Sequence, residues 1–115
     1  MLTAQNTLEL LQKVAFENLY QNLIEQLNKD FQLSNLDESF EISNTPIQLK
    51  EGLSKIILNL ITNNYDDYLN FLYRVDVPEK ELAALTAENL ETTINQIAFL
   101  ILKREYQKVW FKNRF

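Results

Sequence analysis

The residues best placed for chemistry are Tyr65-Asp66-Asp67-Tyr68, followed by Tyr73, Arg74 and Asp76. Adjacent carboxylates with a third nearby could hold Mg²⁺ or Ca²⁺, since both take oxygen ligands. The spacing lacks the Asp-x-Asp-x-Asp-Gly loop of a dedicated calcium site. Acids in the first turn of a helix, with a local Arg74–Asp76 pair, account for the same residues without a metal. No metal and no cofactor is expected.

A second set lies near the end of the sequence: Arg104, Tyr106, Lys108, Trp110, Phe111, Lys112, Arg114 and Phe115. Aromatics interleaved with cations suit a single-stranded nucleic-acid groove, where bases stack and phosphates meet cations. They suit a protein interface equally, where Trp, Tyr and Arg are the enriched anchors. Tyr106, Val109 and Trp110 could also simply complete a core. A third set pairs Asp76 and Glu79 with Arg104 or Lys108. On the surface such a pair contributes roughly 0–1 kcal/mol. Buried, an Asp76–Arg104 bridge would fix the register between two helices. In either form it is a structural ion pair.

The residue types that are missing narrow the chemistry further. The sequence has no cysteine and no histidine. That removes disulfides, thiolate nucleophiles, thiolate metal sites, the commonest general base and the commonest transition-metal ligand. Only carboxylates, Lys, Tyr, Ser and Thr remain, so the chain reads as a non-enzyme. The net charge of −5 is unevenly spread. Residues 1–102 hold 6 Lys/Arg against 15 Asp/Glu, a balance of −9; residues 103–115 hold 5 against 1, a balance of +4. The cations could complement the negative end of a helix dipole, or form a basic patch for an acidic partner.

These groups must be positioned by helices. With 115 residues, 46% of them hydrophobic and 23% charged, the chain has the make-up of one ordinary globular domain. One glycine and two prolines are too few for the many tight turns a sheet protein needs. The pattern predicts an all-α antiparallel bundle of four to five helices, at about 7–29, 46–62, 65–75, 78–85 and 86–113, with an irregular loop at 30–45.

Leu8, Leu11, Ala15, Leu19, Leu23 and Leu27 carry the first stripe, widened by Phe16, Tyr20 and Ile24. Thr45-Pro46-Ile47-Gln48 is a helix start with a capping-box partner at Gln48. Gly52 marks either a close helix crossing or nothing at all. Asn63-Asn64 predicts a bend.

The final helix, capped at Thr86, is apolar on every face over Ile97–Leu102 and must be enclosed by the others. At about 42 Å it would outrun its neighbours and expose Trp110, Phe111 and Phe115. Its apolar run of six residues is far below the ~20 that a membrane span needs.

Leu72-Tyr73-Arg74-Val75-Asp76-Val77-Pro78-Glu79-Lys80, with Leu102-Lys103-Arg104-Glu105-Tyr106-Gln107-Lys108 further on, resembles a group of small uncharacterised bacterial all-helical proteins. These carry a Leu-Tyr-Arg-Ile-Asp-Val-Ser-Glu phrase and a later basic Arg-Glu/Gln-x-Gln-Lys helix. Val75 and Pro78 stand where that pattern has Ile and Ser. The resemblance spans residues 63–115 and implies a helical fold but no activity.

The expected function is a non-enzymatic protein–protein interaction or regulatory module, cytoplasmic and without a membrane partner. It would self-associate, as a homodimer, through the C-terminal helix. The alternative is a nucleic-acid accessory protein that binds phosphates through the same basic segment.

Overall fold

The computed structural model describes residues 6–86 and 88–114, and among them there are six helices and no strand. They are α1 (Thr7–Phe16), α2 (Tyr20–Leu33), α3 (Pro46–Asn63), α4 (Tyr65–Val75), α5 (Glu79–Ala83) and α6 (Leu90–Arg114). The last is central, packing against each of the other five. Its all-round apolar stretch is enclosed as expected: Ile97, Ala98, Leu100, Ile101 and Leu102 are buried and Phe99 is half-buried. Leu23, Ile24, Leu27 and Phe31 of α2 share this core with Phe71 and Val75 of α4. Phe31 and Phe71 stack at 4.7 Å between ring centroids. No helix among the described residues is long and apolar enough to cross a membrane.

The final helix begins at Leu90, four residues later than Thr86, because Asn89 provides the cap. Its side-chain oxygen accepts from the Thr92 amide at 2.8 Å. At 1.5 Å per residue its 25 residues span about 37 Å. The molecule's longest dimension is 35 Å. The helix therefore runs the full length of the molecule.

In place of one helix over 7–29 there are two. Asn18 takes a left-handed backbone (φ 61°) and stops α1. Its amide donates to the Ala15 carbonyl at 3.0 Å, and the Leu19 amide to that of Val14 at 3.0 Å. This is the paired bonding of a Schellman stop. Asn35 (φ 59°) ends α2 in the same way, with amides 35 and 36 bonded to the carbonyls of Gln32 and Phe31. Asp76 (φ 70°) ends α4. Glycine usually fills these positions, but the only glycine in this chain is used elsewhere.

Phe16 belongs to no apolar stripe. At 100° per residue it lies across α1 from Leu10, Leu11 and Val14, and it is 88% exposed.

Irregular chain occupies only 34–45, because α2 continues to Leu33. Asn28 grips this loop by both faces of Phe40. It accepts from the Phe40 amide at 2.8 Å and donates to the Phe40 carbonyl at 2.9 Å. The Phe40 ring then leans over α3 at Gly52, where an added Cβ would lie 2.6 Å from its Cε1. Gly52 thus serves a close approach by the loop, not a helix crossing. α3 starts on the predicted capping box: Thr45 Oγ1 accepts from the Gln48 amide, and Gln48 Oε1 from the Thr45 amide. The chain bends at Asn64 (φ −147°, ψ 64°) into α4, and α5 keeps only the middle of the expected 78–85.

Candidate functional site

Much of the polar chemistry of this chain is turned inward, along a seam between α2 and α6. Gln26 and Asp30 of α2 and Ser34 at its C-cap recur every four residues, so they share one face, and all three are buried. Glu105, Lys108 and Lys112 of α6 supply the other side. Lys108 is the hub. Its Nζ lies 2.6 Å from Asp30 Oδ2 and 3.0 Å from Glu105 Oε1. It also donates to the carbonyls of Val75 at 3.2 Å and Arg74 at 3.4 Å. Those carbonyls belong to the last turn of α4, where the helix dipole favours a cation. One ammonium thus joins α2, α4 and α6. At the outer end Lys112 donates to Gln26 Oε1 at 2.8 Å.

Glu105 is fully buried, and neither of its oxygens meets a conventional hydrogen-bond donor in good geometry. Burial, then its hydrogen bond to Asp30 and that group's charge, push its pKa up to about 9 against the pull of Lys108. At neutral pH the carboxyl is protonated, and its O–H donates to the Asp30 carboxylate. The Lys108 hub then joins one anion, one cation and one neutral acid, with the Lys112 ammonium at the outer end of the seam. Chemically this is an acid–carboxylate dyad, but Asp30 and Glu105 are 2% and 0% exposed. No substrate reaches them in this conformation.

Arg104 grips the stop of α4 from outside the seam. Its Nε donates to the Asp76 carbonyl and its guanidinium to Asp76 Oδ2, both at 3.0 Å. Asp76 is 74% exposed along its side chain, which makes this the surface form of the ion pair. Lys103 reaches Glu81 of α5 at 2.9 Å. Tyr106, fully buried, donates its hydroxyl to Glu17 Oε1 at 2.6 Å. Burial, reinforced by Glu17, raises this phenol far above its ordinary range.

Arg104, Lys108 and Lys112 of the sequence-predicted surface are therefore bound to groups of their own chain. Phe111 is half exposed, and its ring meets Trp110 edge-on at 5.3 Å. Phe115 and the Arg114 side chain lie outside the described residues. Among the described residues no group of three or more carboxylates is arranged to hold a metal ion, Asp66 and Asp67 included.

Sequence reading gave no site role to Asp30, Glu105 or Gln26. The signal was present in the period. Asp30 falls three residues after Leu27, and Glu105 four after Ile101 and four before Val109, so both lie on buried stripes.

Among the described residues, one exposed apolar stripe lies on α4. Tyr65, Leu69 and Tyr73 stand four residues apart on α4 and are 55%, 47% and 72% exposed. Their flank, Tyr68, Phe71, Leu72 and Val75, is buried. Beside them α4 and α5 enclose a hollow of about 570 Å³ lined by Leu69, Leu72, Tyr73, Val77, Pro78 and Leu82, with Asp76 and Glu79 at its edge.

The chain matches no family model, no curated protein and no solved structure.

Proposed function

We propose that this chain is a non-enzymatic protein-interaction module that works by associating with itself. The observation that carries the reading is the exposed stripe of Tyr65, Leu69 and Tyr73 beside the α4–α5 hollow. Tyrosine is a favoured interface anchor, because it brings a large rigid contact at little entropic cost. Contiguous exposed apolar surface of this kind usually marks association.

The proposal moves the association surface from the end of α6 to α4, since Arg104, Lys108 and Lys112 already bind within the chain. The same engagement counts against phosphate contact and hence against the nucleic-acid alternative. The inaccessibility of the one buried carboxylate pair supports a non-enzymatic role, and a sequence without cysteine suits a cytoplasmic setting.

Light scattering behind size exclusion, over a series of protein concentrations, tests the reading. Twice the chain mass is expected for the wild type, and the single mass for Tyr73→Asp at an unchanged melting temperature. A wild-type monomer at every concentration would overturn it.

A further inference from the structure

The exposed stripe on α4 is symmetric about its own midpoint. Tyr65 lies four residues before Leu69 and Tyr73 four after, so each ring sits about 6 Å along the axis from the leucine. Turning the helix end for end exchanges the two tyrosines and leaves Leu69 in place. An isologous two-fold contact requires such a self-complementary patch, in which residue i meets residue j and j meets i.

Charge selects the antiparallel arrangement. The first turn of α4 carries Asp66 and Asp67, and its last turn carries Arg74. Among the described residues none of the three makes an ion pair within the chain. Two copies laid antiparallel oppose the helix dipoles and set the first turn of one α4 level with the last turn of the other, where Asp66, about 60° round from Leu69, shares a side with the long Arg74 side chain, about 140° round; Asp67, at about 160°, faces away. Laid parallel, they would set acids against acids. The anchors are also pre-positioned. The Tyr65 ring rests 5.6 Å from that of buried Tyr68, and Tyr73 forms one wall of the α4–α5 hollow.

We propose that a second copy of this chain docks antiparallel on α4, with Leu69 against Leu69 at a two-fold axis and Tyr65 of each copy beside Tyr73 and the hollow of the other. This rests on the self-association proposed above and names its surface and register. It assigns the chain an isologous, closed dimer, in which the pairing of α4 uses up the stripe and leaves no second copy of it open.

The absence of cysteine from the sequence makes the register directly testable in the full-length chain. Disulfides need Cβ atoms about 3.5–4.5 Å apart. Under mild oxidation Leu69→Cys should therefore form a covalent dimer. Tyr65→Cys and Tyr73→Cys should each stay uncrosslinked alone, their own copies lying about 12 Å apart along the axis, yet crosslink when mixed. Gln12→Cys, on the exposed side of α1, sets the collision background.

Each variant is checked by its melting temperature, which these exposed positions should leave within a few degrees of the wild type. Leu69→Arg, which needs no oxidation, should convert the dimer to monomer. If the wild type is dimeric but Leu69→Cys crosslinks no faster than Gln12→Cys, this register is wrong while self-association stands. If the wild type is monomeric throughout and no variant exceeds background, both proposals fall.

Discussion

At the scale of the residue, the side chains that decide most are the buried charges. Lys108 touches the Asp30 carboxylate, the Glu105 carboxyl and two helix-terminal carbonyls. Lys108→Met would leave Asp30 buried without its counter-ion. We expect a loss of about 3–5 kcal/mol in chemical denaturation. Arg104→Ala, one helical turn away on the same helix, removes a pair whose acid is 74% exposed along its side chain. It should cost less than about 1 kcal/mol. Equal costs would mean that the seam is wetter than its burial implies.

Glu105 sets the pH response. Folding raises its pKa from 4.5 to about 9, so the native state holds a proton that the unfolded chain has released. By linkage, the stability this group contributes is complete below about pH 4.5. It is withdrawn progressively as pH climbs toward about 9. Glu105→Gln donates to Asp30 without titrating. Its melting temperature should match the wild type at acid pH and exceed it by a growing margin on the alkaline side. Parallel pH profiles for the two proteins would show that Glu105 is not the protonated partner.

At the scale of the element, Gly52 and the left-handed stops show local rules yielding to contacts. In a helix interior glycine costs about 1 kcal/mol against alanine, yet here the Phe40 ring occupies the space of a Cβ. Gly52→Ala should lower stability in the wild type. In a Phe40→Ala background, where the space is vacant, it should raise stability by up to about 1 kcal/mol. A double-mutant cycle on unfolding free energies reads that reversal of sign directly. The same sign in both backgrounds would remove the ring as the cause.

The capping box at Thr45–Gln48 was legible from four residues, because every interaction in it is local. The break at Asn18 was not. Its neighbours Ala15 and Leu19 keep the helical period running across it, and asparagine signals a left-handed stop far more weakly than glycine. The start of α6 slipped for a related reason. Thr86 and Asn89 are both competent caps, and it is Asn89 that makes the capping bond. The α2–α6 seam was the least legible part. Asp30 and Glu105 read as solvated charges until Lys108 is brought across some 78 residues of sequence to meet them.

At the scale of the whole molecule, one helix holds the assembly together. α6 contacts all five others, and its second half supplies Glu105, Tyr106 and Val109 to the interior, with half-buried Lys108 beside them. A chain ending at Leu102 would strand Asp30 and Glu17 without their partners and open the core beneath α2. Far-ultraviolet circular dichroism should then fall across the molecule, by much more than the missing residues contribute, and thermal unfolding should lose its cooperativity. A shortened protein that keeps a sharp transition would show that α1 to α4 cohere without the end of α6.

That central position opposes the order of synthesis. Residues are added from the N-terminus, so α1 to α5 leave the ribosome while the strut they all lean on does not yet exist. Until residues 90–114 follow, the apolar faces that α1 to α5 turn toward α6 stay uncovered, and Asp30 waits for its counter-ion. The nascent chain therefore passes through an interval of open, adhesive surface that closes in one late step. Factors that shield hydrophobic segments during translation should therefore matter to the yield of this chain.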